Sequence, residues 1–435
     1  MSEAEHTHAV APRAIRPASA APDLTVIVPG SKSITNRTLL LAALATGRSR
    51  LSGVLFADDT IIFADALQAL GVRLEGDPAA ATCVVHGVGG PFPVAGASVW
   101  CGEAGTAARF LLAACAASHG RFRLDAQPRL RERPLAGLLG ALRELGAKTE
   151  PRGAEHLPLS VLASGLRGGY LDLRGQTSSQ FVSALLMAAP LARRPLEFGV
   201  EQLVSKPYVD MTCALMQRFG ITVLRSGYRR FTVAAPRAYS ATDLAIEPDA
   251  SSASYFFAAA ALLGGTTRVA GLRREGTLQG DTRFLDVLEK MGCRVEDDAD
   301  GVVVQGPKQL AGLTVDMRDI SDTFMTLAAI APFADGPLTI ENIANVRFKE
   351  SDRIGAVEEN LRRLGMKTES GADFLHIEPG EPRPGTIAAH NDHRIAMSFA
   401  VLGLRAPGIV IDDPGCVSKT FPGFFERLDA FEGPA

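Results

Sequence analysis

One spacing constrains this chain more than any other feature. Five times a helix-like stretch closes on a large apolar residue followed by glycine: Leu70-Gly71, Leu145-Gly146, Phe219-Gly220, Met291-Gly292 and Leu364-Gly365. Successive glycines lie 75, 74, 72 and 73 residues apart, and the 435-residue length leaves room for a sixth unit ending near 425–428. Such a glycine takes the left-handed conformation that closes a last helical turn, cheap only without a Cβ. Alternating residues follow, as in Val72-Arg73-Leu74-Glu75 and Cys293-Arg294-Val295-Glu296, and predict strands. Upstream lie apolar Ala/Leu-rich helices at 38–45, 109–117, 181–189, 255–263, 323–331 and 394–402. A strand and a second, amphipathic helix come next, for example at 60–70, 134–145 and 281–291. The unit is helix, strand, helix, strand and hairpin. Its period exceeds that of a solenoid repeat, and the chain exceeds what one core of ~250–300 residues holds. The expectation is an α/β (α+β) fold of two domains with three units each, divided near 242–248.

Composition narrows the class. At 46% hydrophobic and 21% charged residues the chain reads as ordinary globular protein. The net charge of −3 argues against nucleic-acid binding by bulk charge. The longest apolar run, 255–263, falls far short of the ~18 residues of a membrane span. The first 23 residues carry Glu3, Glu5, Pro12, Pro17 and Pro22 and no apolar stretch, so they read as a flexible tail, with His6 and His8 inert. Cys83, Cys101, Cys115, Cys213, Cys293 and Cys416 form no CxxC pair and read as reduced thiols of a cytoplasmic protein.

Every apolar helix is preceded by small polar or charged residues: Ser31-Lys32-Ser33, Glu103-Ala104-Gly105-Thr106, Thr177-Ser178-Ser179-Gln180, Asp249-Ala250-Ser251-Ser252, Asp319-Ile320-Ser321-Asp322 and Asn391-Asp392-His393. N-capping accounts for most of them. Fixed cations beside the same helix starts go beyond capping: Lys32, Arg37, Arg109, Arg129, Arg131, Arg133, Lys206, Arg347, Lys349, Arg353, Arg394 and Lys419. Helix starts attract anions, and Arg forks with Lys point charges suit a ligand bearing both carboxylate and phosphate.

At these motifs the chain resembles the 3-phosphoshikimate 1-carboxyvinyltransferase (EPSP synthase) family, over about 26–425. The resemblance rests on Pro29-Gly30-Ser31-Lys32-Ser33-Ile34-Thr35-Asn36-Arg37, Gly105-Thr106-Ala107-Ala108-Arg109, Pro128-Arg129-Leu130-Arg131-Glu132-Arg133-Pro134 and Ser178-Ser179-Gln180-Phe181. It continues through Ser205-Lys206-Pro207-Tyr208, Asp249-Ala250-Ser251-Ser252-Ala253, Lys349-Glu350-Ser351-Asp352-Arg353, Asp392-His393-Arg394 and Lys419-Thr420-Phe421-Pro422. It implies a two-domain clamshell of three βαβαββ units per domain (an inside-out α/β barrel), split as 1–30 plus 247–435 and 31–246, with the active site in the interdomain cleft. It implies transfer of the carboxyvinyl group of phosphoenolpyruvate to the 5-hydroxyl of shikimate 3-phosphate in aromatic amino-acid biosynthesis, with no cofactor and no metal. Partners are these two small molecules, with no nucleic acid or membrane, and the protein is expected to be a monomer.

By the same resemblance, Lys32, Ser33, Arg37, Ser178, Ser179, Gln180, Ser205, Tyr208, Asp322 and Lys349 bind shikimate 3-phosphate. Lys32, Gly105, Arg109, Arg129, Gln180, Arg353, His393, Arg394 and Lys419 bind phosphoenolpyruvate. Asp322 is the expected base for the hydroxyl, Glu350 the acid for the methylene carbon, and Lys32 an acid toward the leaving phosphate. His390 reads as structural or exposed, so its pairing with His393 makes no metal site.

The chain also departs from the family pattern. Glu103 stands where Asn is usual, Phe110 follows Arg109 where Pro is common, and 319–323 differs around the base. These departures leave open a paralogue acting on another cyclitol. The retained Gly105 leaves room for glyphosate in the phosphoenolpyruvate pocket. The enolpyruvyl transferase of UDP-sugars usually carries a reactive Cys near Arg129, and 127–134 has none. A non-catalytic anion-binding protein on this fold would have lost the Asp322–Glu350 pair.

Overall fold

The computed structural model describes residues 11–433, apart from the side chains of Gln176 and Thr177. The first ten residues of the expected tail, with His6 and His8, lie outside the described residues.

The five repeat glycines all take positive φ: 90° at Gly71, 107° at Gly146, 85° at Gly220, 100° at Gly292 and 84° at Gly365. Each closes its helix with the same two bonds. Gly71 N–H donates to Gln68 O and Val72 N–H to Leu67 O, and the pattern repeats to Gly365 with Arg362 O and Met366 with Leu361 O. Two orphan carbonyls per helix are thereby satisfied, and the chain is turned into the following strand.

The sheets repeat one order as well. In the second unit, Gly96–Trp100 runs parallel to His119–Asp125, which pairs antiparallel with Leu159–Ser164, and Lys148–Glu150 completes the edge. The third unit matches it with Gly169–Thr177, Leu196–Leu203, Arg230–Val233 and Val223–Ser226. Two units borrow their leading strand. Ala45–Ser52 of the first unit takes parallel partners Tyr239–Ser240 and Leu244–Ala245 from the end of the third. Thr266–Ala270 of the fourth takes the N-terminal Asp23–Val26.

The expected tail is partly corrected here. Arg13–Ala14 pairs antiparallel with Ile409–Ile411, which runs parallel to Gly385–Ile387 in the sixth unit. Ile15 beside it is 3% exposed. A two-residue strand joined to a partner almost 400 residues away leaves no local pattern to read.

The chain forms two compact units: Pro29–Asp249 with Gly276–Gly280, and the remaining described residues. Each has its own hydrophobic core. The core helices are Lys32–Leu44, Gly105–Ala116 and Ser179–Ala188 in the first unit, and Ala250–Leu263, Phe324–Ile330 and His393–Gly403 in the second. They are apolar nearly all round, as helices buried on every face must be. Those starting at Lys32, Gly105 and Ala250 begin at least a turn before the apolar runs predict, so there the polar motifs occupy first turns and not only caps. Ser178 and Asp392 do cap, accepting from Gln180 N–H and Arg394 N–H, whereas Ser31 makes no side-chain cap bond. No helix among the described residues is long and apolar enough to cross a membrane.

Candidate active site

In the unit holding Pro29–Asp249, polar bonds tie the first turns of the core helices together. Asn36 Nδ2 donates to Thr106 Oγ1 at 2.7 Å, joining helix Lys32–Leu44 to helix Gly105–Ala116. Arg37, 1% exposed, reaches the other elements. Its Nε donates to Thr212 Oγ1 at 2.7 Å, Nη2 to Ser183 Oγ and Tyr208 O at 3.3 Å, and Nη1 to Ser33 O at 3.0 Å. Its guanidinium lies 5.0 Å from the Phe110 ring and 5.9 Å from the Tyr208 ring. The Phe110 departure therefore supplies an aromatic floor for a buried cation. Burial pushes the Arg37 pKa down to about 10, opposed by Tyr208.

Lys32 is the more open cation of this unit. Its Nζ pairs with Asp59 at 2.9 Å and its backbone N–H donates to Asp249 Oδ2 at 3.3 Å. Ser33 lies next to it, half-buried. A Cβ on Gly105 would lie 2.9 Å from both Arg133 Nη atoms and 3.0 Å from Arg109 Nη1. Glycine there lets two guanidinium groups crowd one helix start. Arg109 is anchored to Gly105 O and Pro134 O, while Arg129 pairs with Glu132 at 3.1 Å. Ser205, φ 54°, stands in the left-handed region just ahead of helix Pro207–Arg218, which carries Tyr208; Ser178, Ser179 and Gln180 open helix Ser179–Ala188.

The second unit gathers charges of both signs. Arg353, 1% exposed, opens helix Arg353–Arg363. Its Nε and Nη2 grip Asp392 at 2.8 and 3.2 Å, Nη1 meets Asp322 at 3.1 Å, and Nη2 meets Glu350 at 2.8 Å. Asp322 also faces Arg394 at 3.3 Å and Lys349 at 3.5 Å. Burial pushes Asp322 up, but Lys349, Arg394 and Arg353 together outweigh it and hold its pKa well below the carboxylate range. Burial lowers the Arg353 pKa, yet Asp392, Glu350 and Asp322 prevail and raise it. Ser254 and Thr326 hydroxyls meet at 3.1 Å, linking two core-helix starts. His393 and Lys419 are buried in the same unit, 1% and 6% exposed. His390 sits apart, 3.2 Å from Glu359 and partly exposed.

The structure thus brings Asp322, Lys349, Glu350, Arg353 and Arg394 into one network. It adds residues the sequence reading did not assign. Asp392 is wholly buried as the anchor of Arg353, Asp59 is the partner of Lys32, and Thr212 and Ser183 hold Arg37. Tyr255, 1% exposed, faces Arg394 and Arg353; burial raises its pKa to about 12, and those cations temper the rise. Asp392 alone carried a local signal, its place ahead of His393-Arg394. Among the described residues no cluster of His, Cys, Asp and Glu is arranged to hold a metal ion.

Two three-unit bodies with cation-bearing helix starts make up this fold. The enolpyruvyl transferase NikO from Streptomyces tendae shares it, with a TM-score of 0.77 at 20% identity over 96% of each chain. Within that class the chain belongs to the EPSP synthase (3-phosphoshikimate 1-carboxyvinyltransferase) family, whose model matches residues 20–428. The 3-phosphoshikimate 1-carboxyvinyltransferase of Nostoc punctiforme is 49% identical over 408 residues, covering 93% of this chain and 96% of that protein. That of Edwardsiella ictaluri is 44% identical over 411 residues, covering 94% and 96%. The EPSP synthase of Acinetobacter baumannii superimposes with a TM-score of 0.79 at 26% identity, covering 96% of this chain and 97% of that one.

Proposed function

We propose that this chain transfers the enolpyruvyl group of phosphoenolpyruvate to the 5-hydroxyl of shikimate 3-phosphate, releasing phosphate in the route to aromatic amino acids. The observation that carries the reading is Asp322, a carboxylate caged by Lys349, Arg353 and Arg394 with Glu350 on the same guanidinium. A paired base and acid among cations suits addition followed by elimination through an anionic intermediate.

In the first step the 5-hydroxyl oxygen bonds to C2 of phosphoenolpyruvate. Asp322 takes the hydroxyl proton and Glu350 delivers a proton to C3, which becomes a methyl group. In the second step Glu350, now a carboxylate, takes a proton back from that methyl group, the C2–O bond to phosphate breaks, and Lys32 supplies a proton to the departing phosphate. Without substrate the surrounding cations hold Asp322 below the carboxylate range, which weakens it as a base. Anionic substrates that draw Arg353 and Arg394 onto themselves raise its proton affinity and make it a base.

Shikimate 3-phosphate is assigned to Lys32, Ser33, Ser178, Ser179, Gln180, Ser205, Tyr208, Asp322 and Lys349. Arg37 contributes from behind, through the Ser33 and Tyr208 carbonyls it holds. Phosphoenolpyruvate is assigned to Lys32, Gly105, Arg109, Arg129, Gln180, Arg353, His393, Arg394 and Lys419. With Gly105 retained, glyphosate competes with phosphoenolpyruvate. No cofactor enters these steps, and one chain carries every residue named, so a monomer suffices. A cytoplasmic enzyme without nucleic-acid partners agrees with the −3 net charge and with free thiols at all six cysteines.

The test is product identity. Purified protein is incubated with phosphoenolpyruvate and a panel of phosphorylated cyclitols, and products are resolved by mass. A carboxyvinyl adduct of shikimate 3-phosphate formed fastest supports the reading, and a preferred different acceptor overturns it.

A further inference from the structure

The segment leading into Asp392 is built against conformational preference. His390 and Asn391 have φ of 54° and 52°, and Asp392 N–H donates to Ala389 O at 2.9 Å. Two consecutive left-handed residues closed by that bond form a type I′ turn, which favours Gly and Asn at its centre. Such strain persists only where the surroundings over-determine the backbone.

The determinant is one helix. Helix Arg353–Arg363 carries Arg353 at its start and Asn360 two turns later. Asn360 is 0% exposed. Its Nδ2 donates to Ala388 O, and its Oδ1 accepts from Ala388 N–H, both at 2.9 Å. A third bond of 2.9 Å runs from Nδ2 to Ala356 O in its own helix. Asn360 thereby treats Ala388 as a neighbouring strand would, at the point where strand Gly385–Ile387 has ended. Asp412 Oδ1 receives Ala389 N–H at 2.8 Å. The strained turn spans the next residues, and Asp392 lands on the guanidinium that starts the same helix. There it also caps helix His393–Gly403 and accepts Ser351 Oγ at 3.0 Å.

We propose that Asn360 is a positioning residue for the phosphoenolpyruvate site. By gripping Ala388 it forces the His390–Asn391 turn, which sets Asp392 and through it the directions of Arg353 and Arg394. Asn360 itself touches none of the groups assigned to substrate. The proposal rests on the assignment of phosphoenolpyruvate to Arg353 and Arg394.

The test pairs Asn360→Leu, which keeps volume and removes all three bonds, with His390→Val and His390→Gly. Valine is an outlier at positive φ, whereas glycine adopts it readily. Misplacing the two arginines by a fraction of an ångström to an ångström predicts a fall in kcat/KM for phosphoenolpyruvate on the order of 10- to 100-fold. In Asn360→Leu the KM for shikimate 3-phosphate stays within about twofold, a split that general loss of stability does not produce. His390→Val shifts in the same sense and His390→Gly stays near wild type. A folded Asn360→Leu with wild-type phosphoenolpyruvate kinetics, or equal losses for both substrates, overturns the proposal. If Asn360→Leu fails to fold, indistinguishable kinetics of the two His390 variants overturn it.

Amide exchange of 388–394 in substrate-free protein separates this idea from the reaction assignment. Faster exchange in His390→Val than in His390→Gly supports the proposal even if the wild type turns over a different acceptor. Identical exchange rejects it.

Discussion

Arg353 and Arg37 are both 1% exposed, yet they are stabilised in opposite ways. Three carboxylates surround Arg353 and push its pKa up. Arg37 is held by two hydroxyls, two carbonyls and two aromatic faces, and burial pushes its pKa down to about 10. No carboxylate among the described residues pairs with it. One unit is therefore neutralised from within, and an arriving anion must compete with Asp322 and Glu350 for its cations. In the other unit Lys32 is paired with Asp59, and Arg37 is the cation held by neutral groups. An anion bound at the caged network must release the carboxylates that do acid–base work.

The contrast is open to attack at several points. The largest effect is expected at the caged carboxylates. Asp322→Asn and Glu350→Gln should each lower kcat by roughly 10²- to 10⁴-fold, with substrate affinities measured by titration changed only a few-fold. An equal loss of binding and turnover for Glu350→Gln would remove it as the acid. Next comes Arg353→Met, which takes one buried cation from three carboxylates and should destabilise the fold by about 3–5 kcal/mol in denaturant unfolding. Arg37→Met leaves only neutral groups behind and should cost about 1–2 kcal/mol. A larger loss at Arg37 than at Arg353 would break the comparison. Lys32→Met should weaken both substrates, each by about tenfold, the worth of one charge-assisted contact; calorimetric titration with either substrate alone checks this.

The smallest effect concerns pH. Asp322 is held below its ordinary value of 3.8, so its contribution to stability is present above that value and is lost as pH falls toward the depressed one. Wild type should therefore lose stability from about pH 5 downward, and Asp322→Asn should show a shallower fall there. Identical slopes would mean that the ion pairs around Asp322 do not persist in solution.

Legibility followed the range of each interaction. The five closing glycines were readable because a Schellman turn is local: Gly71 N–H finds Gln68 O three residues back. The site motifs were readable because each opens a helix. What sequence reading lost was register and partnership. Three core helices start at least a turn before their apolar runs, since residues such as Lys32 and Gly105 extend the helix without extending its hydrophobic pattern. The Arg13–Ala14 strand, the Asp59 partner of Lys32 and the Asn360 grip on Ala388 join residues that no spacing relates. Asp392 was visible in its motif, but only the fold shows that its carboxylate holds Arg353 while capping its own helix.

Phosphate release from a mixture of phosphoenolpyruvate and shikimate 3-phosphate, followed in wild type, Asp322→Asn and Lys32→Met, tests the central claim most directly. Wild type should release phosphate only when both substrates are present. Asp322→Asn should bind both and release almost none, and Lys32→Met should need higher concentrations of each. Release by wild type from phosphoenolpyruvate alone, or an undiminished rate in Asp322→Asn, would contradict the account.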